Sequence, residues 1–98
     1  MSTFQLGETL ETVIAIYNKN NELVDVATCT ITINDSEGAT LQDEVDMTWV
    51  SLGVYSHDAQ LPAESVGPLG EYKIRITMTG TSGKVSIATD TIKVVSSL

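Results

Sequence analysis

Apolar and polar residues alternate along most of this chain, in short runs separated by turn-forming residues. The cleanest run is EYKIRITMT, residues 71–79: Tyr72, Ile74, Ile76 and Met78 fall on one side, Lys73, Arg75, Thr77 and Thr79 on the other. A period of two is that of a β-strand with one buried face. VATCTITIN, residues 26–34, repeats it, with Ala27, Cys29, Ile31 and Ile33 inward. GVYSHDAQL, residues 53–61, places Tyr55, His57, Ala59 and Leu61 together. In ETLETVIAIY, residues 8–17, Leu10, Thr12, Ile14 and Ile16 share the inner face, while Val13 and Ala15 leave the outer face apolar too. That strand is either covered on both sides or presents a contact surface. ATLQDEVDMTWV, residues 39–50, reads as one bent strand or two short ones, with Trp49 packed at its end. KVSIATDTIKVV, residues 84–95, changes phase: Val85 and Ile87 fall on one face, Ala88, Ile92 and Val94 on the other. A β-bulge near residues 87–89 would account for the switch.

The punctuation between runs fits this reading. NKNNE (18–22), DSEG (35–38) and GTSG (80–83) are turns, and the asparagines of the first suit left-handed backbone. The link PAESVGPLG, residues 62–70, is too rich in proline and glycine for a strand. Thirteen threonines and many Val and Ile favour pleated, half-buried surface, and helical periodicity is nearly absent. Six or seven short strands cannot cover themselves as one flat sheet, so two stacked sheets with facing inner sides are expected. The fold class is therefore all-β: an immunoglobulin-like antiparallel β-sandwich of about seven strands, one domain over residues 1–98.

Gly-x-Tyr occurs twice, at Gly53-Val54-Tyr55 and Gly70-Glu71-Tyr72, each time opening a strand. The glycine ends a turn, where positive φ needs no Cβ. The tyrosine is the first inward residue, its ring in the core and its hydroxyl near a loop carbonyl. Tyr72 sits where a tyrosine corner would, and Tyr72 and Trp49 are expected in or near the core. With LGETLETVIAIYNKNNELVD, TITINDSEG, LGVYSHDAQLP and LGEYKIRI, the chain resembles, over residues 6–95, the Ig-like sandwich modules of bacterial, archaeal and phage structural proteins. Fibronectin-like and macroglobulin-like domains share that skeleton. Asn20-Asn21 stands where the pattern usually has Asp-Gly. These motifs specify a fold and not a role.

Charge narrows the function classes. The net charge is −8, which argues against a nucleic-acid partner. The charge is uneven: residues 1–60 hold ten acids and one base, residues 61–98 three acids and four bases. No apolar run approaches the ~20 residues of a membrane span, so no membrane insertion is expected. The start MSTFQLGETL lacks the order of a signal peptide, and a chain complete at this length is expected to fold in the cytoplasm of its host. Cys29, the single cysteine, reads as a small buried hydrophobe, and no disulfide is open to it. His57, the single histidine, has Asp58 on the opposite face and no nucleophile partner. The acids Asp35, Glu37, Asp43, Glu44 and Asp46 read as a solvated face in place of a calcium loop. No enzyme, cofactor or metal is expected.

What remains is a protein that works through protein–protein contacts. The candidate contact residues are Val13, Ala15 and Tyr17, apolar on an outward phase, with Lys73 and Arg75 as an outward cationic row. Lys73 and Arg75 either share a sheet with Asp43, Glu44 and Asp46 or lie on the opposite face. An acidic Ig-like domain without a signal peptide, taken as complete in one short chain, suits a phage virion accessory component (head decoration, neck or tail), whose expected partner is a copy of itself or another virion protein. The alternative is an Ig-like spacer or binding module of a larger cell-surface or secreted adhesin-type protein, located outside the cell.

Overall fold

Eight strands in two sheets enclose one apolar core in the computed structural model, which describes residues 2–98. They are β1 (Ser2–Gln5), β2 (Thr9–Ala15), β3 (Thr28–Asn34), β4 (Thr40–Asp46), β5 (Thr48–Ser51), β6 (Val54–Gln60), β7 (Gly70–Thr79) and β8 (Val85–Val95). The larger sheet has the order β1-β8-β7-β3-β4 and the smaller β2-β6-β5. Strands β3, β7 and β8 thus stand together as C, F and G do in an immunoglobulin-like sandwich, and β2, β6 and β5 as B, E and D. All ladders are antiparallel except that of β1 with β8, which is parallel. The short strand β1 is an element that the alternation pattern does not mark. It supplies Phe4, which packs half-buried against the core.

The inward phases expected for β2, β3, β6 and β7 match the buried residues. Ile31, Ile33, Leu61, Tyr72 and Val94 are the largest fully buried side chains, joined by Leu10, Cys29, Tyr55, Ile74 and Ile76. Ala27 is an exception. It lies before β3 begins and is exposed, although its N–H still bonds the Thr79 carbonyl at 2.8 Å. The 39–50 segment resolves into two strands in different sheets. Met47, between them, is buried, and its N–H bonds the Cys29 carbonyl at 2.9 Å before the chain crosses to the smaller sheet. The bend comes from β4: its register against β3 slips by one residue between Val45 and Gln42 and by another between Gln42 and Thr40, and Glu44 takes φ 47°. The buried Thr32 hydroxyl accepts the freed Glu44 N–H at 3.1 Å.

Two expectations fail here. Strand β8 carries no bulge at residues 87–89, because its register with β7 runs unbroken from Val85 to Val94. Val85 and Ile87 simply face outward, 56% and 59% exposed. Trp49 is not a core residue. It shares the inward phase of Tyr55, but β5 is a four-residue edge strand, and the ring is left 57% exposed. Its indole N–H is tied to Asp25 Oδ1 at 3.0 Å.

Both Gly-x-Tyr units behave as their pattern implies. Gly53 and Gly70 have φ of 70° and 125°. Tyr72 is 0% exposed, and its hydroxyl donates to the Pro68 carbonyl at 2.7 Å, closing a tyrosine corner. Burial, with the negative charges of Asp35 and Glu37, raises its phenol above the ordinary tyrosine value.

Candidate functional site

The outer face of the smaller sheet is built by two rows of the ladder and one turn. Val13 stands opposite Ser56, which faces Thr48; Ala15 stands opposite Val54, which faces Ser51. Beyond the strand end, Tyr17 is bridged to Leu23 across the 18–22 turn. Asn18 makes that turn. Its Oδ1 accepts from the N–H groups of Asn20 at 2.8 Å and Glu22 at 3.1 Å, and Asn21 takes the left-handed conformation, φ 59°. Val13 and Tyr17 are 58% and 59% exposed, and Leu23, Val50 and Leu52 are exposed at the same end of the sandwich.

This end is held firmly. Ile16 N–H bonds the Gly53 carbonyl at 2.8 Å, and Val24 N–H bonds the Ile16 carbonyl at 3.0 Å. Asp25 Oδ1 accepts from Gly53 N–H at 2.7 Å as well as from Trp49. Tyr55 OH reaches from the core to the Val26 N–H and carbonyl, at 3.2 and 3.4 Å. The apolar surface is therefore displayed on backbone that is bonded at several points, which lowers the ordering cost of any contact made there.

Lys73 and Arg75 lie on the other side of the molecule, exposed on the outer face of the larger sheet. In register they sit between β3 and β8: Asn34–Lys73–Thr91 and Thr32–Arg75–Thr89. These residues line an open trough of about 570 Å³. Asn34 Oδ1, beside it, is buried and has no hydrogen-bond partner. The five candidate contact residues thus form two groups on opposite faces. Strand β4, with Asp43, Glu44 and Asp46, shares the sheet of Lys73 and Arg75, but β3 lies between them.

The groups with chemical potential are occupied structurally. Asp35 Oδ1 accepts from the N–H groups of Glu37 and Ala39, both at 2.9 Å, and so shapes the 35–38 turn. Among the described residues no three His, Cys, Asp or Glu side chains converge on one point. Cys29 Sγ lies 3.6 Å from Met47 Sδ, and burial raises its thiol pKa, which opposes thiolate formation. His57 Nε2 meets Gln42 Oε1 at 3.2 Å, bridging the two sheets. Sequence reasoning missed Leu23 and Val54 as members of the apolar face. The symmetry of Tyr17 and Leu23 about an asparagine-rich turn was the available signal.

The chain matches no protein-family model, and no curated protein is similar to it.

Proposed function

We propose that this domain is a non-enzymatic assembly module that presents a rigid, largely acidic sandwich to a protein partner through the outer face of its smaller sheet. The observation that carries this is the exposed grouping of Val13, Ala15, Tyr17 and Leu23 on a strand face where an unpartnered domain would place polar residues. Charge away from that face, including Lys73 and Arg75 on the opposite side, steers and selects partners more than it binds them, because exposed pairs contribute about 0–1 kcal/mol. With the resemblance to Ig-like modules of bacterial, archaeal and phage structural proteins, and the acidic sequence, this supports a virion accessory component, in the head, neck or tail, meeting copies of itself or other virion proteins.

The contact is tested by sedimentation equilibrium of the protein and of Val13→Lys. Association that the variant loses while keeping its circular dichroism and melting curve supports the reading. Association that survives the substitution places the contact elsewhere, and unfolding of the variant makes that face core. The biological setting is tested by the native open reading frame. Neighbouring capsid, neck or tail genes support the virion role. Tandem copies of the same sandwich in one long frame would assign it to an adhesin-type surface protein instead.

A further inference from the structure

We propose that the open half of the β8 edge is a strand-acceptor site. It takes an extended segment of a different protein, bearing alternate apolar side chains and a lysine or arginine, which adds to the larger sheet end to end with β1. The site lies apart from Tyr17 and the 18–22 turn; of the residues in the contact proposed above, Val13 alone also lines the gap beside β8.

The inference starts from the ladders. Strand β7 pairs with β8 from Val85 to Val94, but β1 pairs with it only from Ile92 to Val95. Among the described residues, 85–91 therefore have no neighbour on the β1 side, and every second N–H and C=O along 85–90 points at a position that no described strand fills. Edges of this kind are usually blunted by a proline, a bulge, a lysine or an inward-pointing charge. Residues 85–89 are Val-Ser-Ile-Ala-Thr, with no charge and no proline, and their register with β7 is unbroken, so the one such device on the open stretch is Asp90.

The sandwich is also open at this place. A gap of about 300 Å³ lies between β8 and β2, and its apolar lining includes Phe4, Val13, Ile14, Ile76, Ala88 and Ile92. A strand added beside β8, about 4.8 Å away, would turn alternate side chains into this gap and the others to solvent. Main-chain bonds would supply the docking, and the gap would select apolar side chains of the right phase.

Charge decides the occupant. Asp90 lies on the inward phase of β8, lines the gap with Glu11, and is exposed there. An inward carboxylate at an open edge rejects acidic or uncharged strands and favours one that brings a cation opposite it. The net charge of −8 acts in the same direction. A second copy docking by its own β8 would offer Ser86, Ala88 and Asp90 to the gap, small and acidic side chains that neither fill it nor neutralise it.

The experiment uses the full chain, labelled with ¹⁵N, and two synthetic nine-residue probes: alternating valine and threonine with a lysine at each end, and the same peptide with glutamates in place of the lysines. The lysine peptide is expected to bind and to slow hydrogen exchange at alternate amides of residues 85–91. The glutamate peptide is expected to bind about fivefold more weakly, the size of a cross-strand charge contrast. Asp90→Lys, at an exposed position, should reverse that order with little change in melting temperature, and Tyr17→Lys should leave it unchanged. Absence of binding by either peptide, or protection mapped to another edge, overturns the site. Equal binding by the two peptides overturns the assignment of a basic partner. Protection of residues 85–91 that grows with protein concentration and no peptide assigns the edge to a second copy and overturns the proposal of a foreign strand.

Discussion

The two Gly-x-Tyr units are the same motif put to different uses. Tyr72 closes locally: its hydroxyl bonds a carbonyl four residues back, at Pro68, and pins the end of the link to the strand it feeds. Tyr55 closes at long range, reaching the backbone of Val26, 29 residues away in sequence, on the connection between the two sheets. The glycines differ in parallel. A Cβ on Gly53 would stand 2.9 Å from Val24 N and 3.1 Å from the Ile16 carbonyl, both backbone atoms. A Cβ on Gly70 would meet only the Ser36 side chain, at 3.0 Å. The shared sequence therefore encodes the shared requirement, a positive φ followed by an inward ring. What each unit is tied to depends on the chain around it.

The largest effect belongs to the ring that the local unit buries. Tyr72→Ala removes a fully buried aromatic and leaves the Pro68 carbonyl without its donor. A cost of about 3–5 kcal/mol is expected, against a total stability of about 5–15 kcal/mol for such a domain. Urea unfolding reads it directly, and a midpoint close to that of the parent would contradict the inward placement of β7.

The comparison of glycines sharpens next. Gly53→Ala meets both a left-handed backbone and backbone neighbours that cannot rotate away, so its cost should exceed the ~1–2 kcal/mol of the conformational penalty alone. It should also increase hydrogen exchange at Val24 and Ile16, whose bonds hold the apolar end of the smaller sheet. Gly70→Ala should leave those amides as they are. If both variants disturb the same amides, the two units are not independent closures.

Trp49 sets the lower end of the scale for aromatics. Its ring is more than half exposed, and its one bond is to Asp25, so Trp49→Ala should cost under ~1 kcal/mol in the same urea assay. A loss comparable to that of Tyr72→Ala would mean that the ring packs inward after all.

These residues show what alternation encodes and where it stops. Phase was readable in β3, β6 and β7, which are central in their sheets, and in β2 at an edge, where Leu10 is buried and Ile14 half-buried as the pattern implies. It misled at β5 and along the half of β8 that β1 does not cover. Trp49 has an inward phase but only one neighbouring strand, so nothing closes over it. Val85 and Ile87 were read as evidence for a bulge because apolar residues were assumed to point inward; a β-strand beside an unfilled edge position carries them outward without strain. Strand β1 has too few residues to show a period, and only its parallel pairing with β8 reveals it. Of the candidate contact residues, Val13, Ala15 and Tyr17 could be placed on one face from spacing. Their separation from Lys73 and Arg75 could not, because it depends on which sheet each strand joins.

The smallest effect is one of pH, and it concerns only the link that leads to the second unit. Glu64, in that link, accepts hydrogen bonds from the Ser96 hydroxyl, from Ser97 N–H at 2.9 Å and from the Ser97 hydroxyl at 2.7 Å. The Ser96 bond, followed by those from Ser97, lowers its carboxyl pKa below the ordinary glutamate value. The charged form is thus favoured in the folded chain, and the unfolded chain binds the proton more readily. Between the two pKa values stability rises with pH. The contribution is complete above the unfolded-state value and is lost as pH falls through the lowered folded value. The carboxylate is solvent-accessible, so the effect is screened and small. Glu64→Gln should therefore lower stability slightly at neutral pH and match the parent once the pH lies below the folded value. Urea midpoints of the two proteins taken from pH 7 downward should converge on the acid side. Midpoints that converge at neutral pH and separate in acid would reverse the sign of the linkage. The same titration on Tyr55→Phe should run parallel to that of the parent, because no carboxylate takes part in the hydroxyl contacts of the long-range closure.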